Sequence, residues 1–162
     1  MMNSTIFSSP TFGQMNLSGV VDRAVSFIES ENNCTFKIVV GTDSELIPHG
    51  GTHFVTAIVV HHVGHGGVYF WSSISKTKIK DLRQRMYEEA SQSLAIAQNL
   101  IEEFKKRDQP LDKILEIHVD IGQNGDTRNM IAEITGMIRG SGFVCKTKPE
   151  SFGASNVADR HT

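Results

Sequence analysis

Three acidic residues, Asp43, Glu89 and Asp120, have the types and positions that metal-dependent chemistry requires. Asp43 follows the largely apolar, β-branched run 36–40, which is typical of a central buried strand. Asp120 lies toward the end of segment 114–122, where apolar and polar residues alternate as in a strand with one buried face. Ligands of open α/β sheets collect outside the carboxyl ends of the strands, so these two carboxylates meet if their strands are neighbours.

Glu89 belongs to segment 81–106, whose apolar residues recur with a helical period. At about 100° per residue, with Met86 set at zero, Glu89 lies inside the apolar stripe, whereas Glu88 lies nearly opposite. We therefore expect Glu89 to face the sheet and Glu88 to face solvent. Because a buried carboxylate without a partner is costly, Glu89 joins the other acids, pairs with Arg85 one turn earlier, or reaches solvent from the stripe edge.

A bound cation would make a cluster of carboxylates stable. Two carboxylates about 4 Å apart repel each other by roughly 4 kcal/mol at an effective dielectric of about 20. An all-oxygen set of Asp and Glu ligands suits Mg²⁺ or Mn²⁺ better than Zn²⁺. Such ions, working in pairs, activate water and stabilise the leaving oxygen in phosphodiester cleavage. The acids therefore predict one or two Mg²⁺ or Mn²⁺ ions as cofactors.

The length and composition of the chain predict a single globular domain. With 162 residues, of which 39% are hydrophobic and 21% charged, the chain can bury a core without covalent cross-links. It has no apolar run of the roughly 20 residues that span a membrane and no signal-peptide pattern, so we expect a cytoplasmic protein without a membrane segment. Cys34 and Cys145 match no CxxC pattern and are expected to be buried, reduced thiols.

The order of secondary structure that must position these residues follows from the same patterns. Residues 1–15 carry no charge and several Ser, Thr, Asn and Pro, which predicts an arm of little regular structure before a domain at residues 16–162. That domain reads as helix, three strands, helix, strand, helix, strand and short helix, with Asn16 or Ser18 capping the first helix and Asp126 the third. The predicted fold class is α/β: a five-stranded mixed sheet with helices on both faces and an extra N-terminal helix. Strands one to three form an antiparallel meander, and strands four and five are parallel.

Four short motifs resemble those of a known family. They are GTDSE at 41–45, HVDIG with the G-TR that follows it, GMI with the GF that follows it, and KPESF-AS-VADRHT at the end of the chain. Together they are similar to the YkuK family of small ribonuclease-H-like proteins, whose biochemical role is largely uncharacterised. The resemblance to the ribonuclease H fold extends from about Phe36 to the last residue. It implies divalent-metal-dependent phosphodiester hydrolysis of nucleic acid, whether RNA, an RNA–DNA hybrid or structured DNA.

The ribonuclease H resemblance also implies roles for particular residues. In that fold, acids on the first strand, the first long helix, the fourth strand and the last helix bind two metal ions. The resemblance implies that Asp43, Glu89 and Asp120 are the first three of these catalytic metal ligands and that Asp159 is the fourth. A water molecule activated by the metal would be the nucleophile.

Basic residues supply candidates for binding the phosphates of nucleic acid. The formal net charge of −2 argues against a protein that coats nucleic acid by bulk electrostatics, but half of the residues in segment 76–85 are basic. We expect Lys76, Lys78, Arg83 and Lys148 to contact substrate phosphates, which positions the substrate without reading its sequence. The alternative is that these residues form only a solvated sheet rim and helix start.

Two other functions fit the sequence. The same fold and basic rim could belong to a non-catalytic module that binds nucleic acid or a protein partner. The other hypothesis is a zinc-stabilised interaction domain, because His61, His62 and His65 flank a hairpin turn, with His49 and His53 upstream. His61 and His62 face opposite ways in a strand, however, which counts against a simple chelate.

Overall fold

Within residues 5–31, 34–109, 111, 114–122, 125, 128–151 and 154–162, the computed structural model has one mixed sheet of seven strands and four α-helices. The side chains of 154, 155 and 159 lie outside this description, as does the helix cap predicted at Asp126. The strands are β1 (Phe7–Ser9), β2 (Gly13–Met15), β3 (Phe36–Leu46), β4 (Thr52–His62), β5 (Gly66–Lys76), β6 (Leu115–His118) and β7 (Val144–Lys146). The helices are α1 (Leu17–Glu29), α2 (Leu82–Lys105), α3 (Ile131–Gly140) and α4 (Ala154–Asp159), with a 3-10 turn at Arg128–Met130.

The sheet is built around a long antiparallel meander. Its strand order is β2-β1-β5-β4-β3-β6-β7. β3, β4 and β5 pair antiparallel in sequence, while β6 lies parallel to β3 and β7 lies parallel to β6. A parallel pair requires a long crossover, and α2 provides it between β5 and β6. The predicted α/β class, the meander and the two parallel strands are therefore confirmed.

The number of strands was predicted wrongly, because the first fifteen residues are not a featureless arm. β1 and β2 form a small antiparallel hairpin, and Ser8 of β1 pairs with Trp71 of β5. The side chain of Phe7 is completely buried, which explains why this segment docks on the edge of the meander. The absence of charge, which suggested an irregular arm, is what allows the segment to join the core.

The helix caps follow the sequence closely. The side chain of Asn16, rather than that of Ser18, accepts a hydrogen bond from the backbone of Gly19 at 2.9 Å and begins α1. Asp81 caps α2 in the same way, accepting from the backbone of Gln84 at 2.9 Å. α2 therefore begins within one residue of its predicted start, so the helical phase of its acidic residues is well defined.

β3 is longer than its apolar run predicted, and Asp43 lies inside it rather than after its end. The pairing with β4 continues to Leu46. Beyond the apolar residues, hydroxyl groups hydrogen-bond β3 to its neighbours. Thr42 Oγ1 lies 2.9 Å from Thr56 Oγ1 of β4 and 2.8 Å from Ser93 Oγ of α2. Buried polar groups that are hydrogen-bonded in this way are compatible with a core strand.

Two hydrophobic layers lie on the two faces of the sheet. On one face, Ile38 and Val40 of β3 pack in the large core that α1, α2 and α3 complete. On the other face, Val39 packs with Val157 of α4 in a smaller cluster. No helix in the described ranges is both long and apolar enough to cross a membrane.

The burial of Phe7 predicts that the N-terminal hairpin contributes to stability. We expect Phe7→Ala to lower the free energy of unfolding by about 3–5 kcal/mol, the usual cost of removing a buried aromatic ring. Ile6→Ala is the matched control, since Ile6 is 52% exposed, and we expect it to change stability by less than about 0.5 kcal/mol. Urea denaturation measures both values. Equal, small effects would show that residues 6–15 are dispensable.

Candidate functional site

Asp43 lies in β3, and Asp120 follows β6, the strand that runs parallel beside β3. β6 ends at His118, which lies opposite Gly41, so Asp120 follows this strand by two residues and, contrary to the sequence prediction, is not part of it. Continuing the same register by two residues brings Asp120 to the level of Asp43. Side chains four residues apart share a face of a strand, which places Asp43 on the face of Val39, the face that α4 covers. The two aspartates therefore lie near the carboxyl ends of neighbouring parallel strands, Asp43 within β3 and Asp120 just after β6.

Glu89 reaches this region from α2. Its side chain is only 6% exposed, so the predicted helix face is confirmed for this residue. The hydroxyl of Ser44, the residue after Asp43, donates a hydrogen bond to Glu89 Oε1 at 2.5 Å. Ser44 and Asp43 point to opposite faces of β3, so one dipeptide links the helix acid on one face to a strand acid on the other.

The electrostatics of Glu89 connect the three acids. Burial raises the pKa of Glu89 to about 8, and the negative charges of Asp43 and Asp120 raise it as well. The hydrogen bond from Ser44 and the positive charge of Arg85 act in the opposite direction. All three carboxylates thus share one electrostatic environment, in which ionisation of Glu89 is unfavourable at neutral pH unless positive charge is added. An all-oxygen donor set of this kind fits Mg²⁺ or Mn²⁺.

The sequence also allowed a direct salt bridge between Arg85 and Glu89. The structure instead has Arg85 donate hydrogen bonds to Ser44, which in turn donates to Glu89. Its Nε donates to the Ser44 hydroxyl at 3.2 Å, and its Nη2 donates to the Ser44 carbonyl at 2.8 Å. These bonds fix the hydroxyl that in turn donates to Glu89. The sequence analysis did not identify Ser44. Its side chain faces α2 because β3 extends past Asp43 and successive side chains of a strand point to opposite faces.

The expectation that Glu88 faces solvent is wrong. Its carboxylate forms an ion pair with Lys76 at the end of β5 and accepts a hydrogen bond from Gln92 at 3.1 Å, and its side chain is only 20% exposed. Partial burial raises the pKa of Glu88, but the bonds from Lys76 and Gln92 lower it more, and the net shift is downward. The cause is that the end of β5 passes beside the first turns of α2. Lys76 is therefore engaged in the fold and not only in a solvated rim.

Lys148 lies at the candidate site. Its Nζ is 2.9 Å from Asp120 Oδ1, and the two side chains are 55% and 40% exposed. The backbone of Lys148 donates to the Ile121 carbonyl at 2.9 Å, which holds the chain after β7 beside the chain after β6. A cationic side chain thus contacts one of the predicted metal ligands directly.

The other predicted phosphate-binding residues are dispersed. Arg83 pairs with Glu133 of α3 at 2.7 Å and stacks over the ring of Tyr87. Lys78 is exposed in the link between β5 and α2. Among the side chains that the structure describes, Lys148 is the one of these four basic residues that contacts a predicted metal ligand.

For Asp159, the predicted fourth acid, the structure gives the position of its helix, α4, but not that of its side chain. α4 packs against β3 and β4 through Val157 and Ala158, on the same face of the sheet as Asp43. The side chain of Asp159 lies outside the described residues, so its role as a ligand stays a prediction. His161, just beyond, stacks on Trp71 with ring centroids 4.1 Å apart.

The ligand atoms of the three acids are not drawn together as tightly as a shared ion requires. Among the described residues, the group of three ligand atoms within 4.8 Å of one another is a different one, formed by Glu31, Cys34 and His62. Asp120 is held by Lys148 and Glu89 by Ser44. Two of the three acids thus contact protein groups directly, Asp120 through an ion pair and Glu89 through a hydrogen bond.

The pKa of Glu89 makes the stability of the metal-free protein depend on pH. Folded Glu89 keeps its proton up to about pH 8, whereas an unfolded glutamic acid loses it near pH 4.5. The free energy of unfolding should therefore fall between these values, with a slope of up to about 1.4 kcal/mol per pH unit from this group. We expect Glu89→Gln to remove this contribution in urea denaturation with EDTA.

Glu88→Gln is the control for this pH dependence, because the pKa of Glu88 is lowered and not raised. The wild-type decline between pH 4.5 and 8 should persist in that variant. If the free energy of unfolding instead falls equally with pH in the wild type and in Glu89→Gln, Glu89 is ionised in the folded protein. The argument that the acidic region lacks a compensating positive charge then fails.

Comparison with known proteins adds independent information. The sequence profile of a family described as ribonuclease H-like matches residues 19–162. A Bacillus subtilis (strain 168) protein named uncharacterized protein YkuK is 28% identical over an alignment that covers 100% of this chain and 99% of that protein. No solved structure matches the chain significantly.

Proposed function

Because the chain belongs to the ribonuclease H-like family, as its motifs predicted, we propose that it is a Mg²⁺- or Mn²⁺-dependent nuclease that hydrolyses phosphodiester bonds in nucleic acid. The observation that carries this proposal is the buried carboxyl group of Glu89, whose pKa is raised by burial and by both Asp43 and Asp120. A buried carboxyl group whose ionisation is opposed by two neighbouring aspartates is, in a family of this kind, best explained as part of a metal site. Perturbed acids of this type concentrate at functional sites.

The acids would hold the metal, and neighbouring residues would position them. Asp43, Glu89 and Asp120 are the proposed ligands, with Asp159 as an accessory ligand from α4. When bound, Mg²⁺ or Mn²⁺ supplies the positive charge that activates water and stabilises the leaving oxygen. Ser44 orients the Glu89 carboxylate, and Arg85 orients Ser44. The bonds of Ser44 and Arg85 thus fix the direction in which Glu89 presents its oxygens.

Lys148 is the residue we assign to the substrate phosphate. Its side chain is more than half exposed and contacts Asp120, so its ammonium group lies where a nucleic-acid backbone would approach the acids. A carboxylate that ligates a cation attracts a lysine less strongly, which frees Lys148 to contact a phosphate. Lys78, exposed before α2, is a more distant candidate for the same role.

A non-catalytic module is the second candidate function, and a specific observation favours it. The Lys148–Asp120 ion pair and the Ser44–Glu89 hydrogen bond engage two of the proposed ligands with protein groups. A protein that has lost hydrolysis but kept the fold could bind nucleic acid or a protein partner through the same surface. The two candidates differ in whether the protein cleaves nucleic acid when a divalent metal ion is present.

A cleavage assay with paired variants tests the proposed nuclease. Labelled RNA, DNA and RNA–DNA hybrid duplexes are incubated with the full chain in Mn²⁺ or in EDTA. We expect cleavage only with metal, and we expect Glu89→Gln and Asp120→Asn to reduce it at least tenfold because each removes a charged ligand. Glu88→Gln is the matched control on the adjacent helix position and should retain activity. Metal-independent binding without cleavage would instead support the non-catalytic module.

The proposed role of Lys148 gives a separate test by binding. We expect Lys148→Gln to weaken nucleic-acid binding and to reduce the slope of log affinity against log salt by about one, as for the loss of one phosphate contact. Its folding stability should change by less than about 1 kcal/mol, since the ion pair with Asp120 is exposed. Lys37→Gln, at the opposite end of β3, is the control. An unchanged salt slope in Lys148→Gln would remove Lys148 from the proposed interface.

A further inference from the structure

A second group of metal-binding side chains lies at the opposite end of β3 from the acids. One ligand atom each from Glu31, Cys34 and His62 lies within 4.8 Å of the other two. His62 pairs with Phe36, the first residue of β3, which is seven residues before Asp43 and therefore roughly 23 Å away along the strand. The group is thus separate from the site of the proposed nuclease and has no part in it.

Two parts of the chain converge to form this group. Glu31 follows the end of α1, Cys34 immediately precedes β3, and His62 is the last residue of β4. The His62 side chain is only 7% exposed, and its ring stacks on that of Phe36 with centroids 4.8 Å apart. The packing of Phe36 therefore holds the imidazole beside Glu31 and Cys34.

The hairpin histidines do not all come together: the rings of His62 and His65 lie 4.6 Å apart between centroids, whereas His61 faces the other side of the sheet. His61 and His62 face opposite sides of β4, so they cannot share an ion. The partners of His62 come from a distant part of the sequence, Glu31 and Cys34, which no local spacing could reveal. Cys34 is also more accessible than expected, being only partly buried.

The chemistry of the three donors selects the ion. A thiolate sulfur, an imidazole nitrogen and a carboxylate oxygen are all common zinc ligands, whereas Mg²⁺ and Mn²⁺ disfavour sulfur. We propose that Glu31, Cys34 and His62 form a Zn²⁺ site. Binding releases the thiol proton of Cys34 to solvent, and Glu31 and Cys34 are exposed enough for the ion to enter directly.

The proposed zinc ion links separate elements of the fold. It joins the connection between α1 and β3 to the end of β4, next to the β4–β5 hairpin. A ligand that binds only the folded state raises stability in proportion to the logarithm of its free concentration. Zinc at this position would therefore stabilise the N-terminal half of the sheet without contributing to hydrolysis.

Cobalt serves as a spectroscopic probe for this site. The metal-free full chain is titrated with Co²⁺ and then with Zn²⁺. We expect a thiolate-to-cobalt charge-transfer absorption that saturates at one equivalent and is displaced by Zn²⁺. Cys34→Ser should abolish it, whereas Cys145→Ser, which alters the buried cysteine of β7, should leave it intact.

Two further variants keep the test independent of folding defects and of the acidic site. Glu31→Gln changes an exposed side chain and should weaken Co²⁺ binding at least tenfold, while Glu89→Gln, which alters the proposed nuclease site, should not weaken it. The proposal is overturned if the absorption is absent in the wild type, persists in Cys34→Ser, or has the same affinity in Glu31→Gln. None of these outcomes bears on cleavage of nucleic acid.

Discussion

The burial of one carboxyl group, that of Glu89, is the constraint on which the arrangement of the acidic region depends. An ion moved from water into a protein interior loses several kcal/mol of hydration unless protein groups or a counter-charge compensate. Ser44 provides a hydrogen bond and Arg85 a nearby positive charge, while Asp43 and Asp120 oppose ionisation. The balance leaves the region short of positive charge, and the position of Lys148 against Asp120 is consistent with that shortage.

β3 is the element that makes this arrangement possible, because it is polar where most central strands are apolar. Thr42 and Ser44 use their hydroxyl groups to bind α2, so the strand remains buried and paired through the level of the acids. Alternation then presents Asp43 on the opposite face, toward α4. A strand that ended at its last apolar residue would leave Asp43 in a loop without a fixed direction.

Much of this architecture could be predicted from the sequence, and the failures have definite physical causes. Helical periodicity identified the buried face of Glu89, and the β-branched and alternating runs identified the five strands from β3 to β7. The full length of β3 was missed because hydroxyl residues satisfied by other elements look like the start of a loop. The exposure of Glu88 was misjudged because periodicity describes one helix and not the strand end beside it. The contact of Lys148 with Asp120 joins two loops, a relation that no local pattern encodes.

The parallel pairing of β3 with β6 has a consequence for the order in which the protein folds. The β3–β4–β5 meander needs only short loop closures, whereas β6 pairs with β3 across 77 residues of chain, from Gly41 to His118. Non-local pairings carry the largest loss of chain entropy and form slowly. Asp43 therefore occupies an early, locally assembled unit, and Asp120 reaches it only when the crossover closes. A partly folded chain has the first acid in place but lacks the second, so a metal ion bound at the acids, as proposed, would require the completed fold.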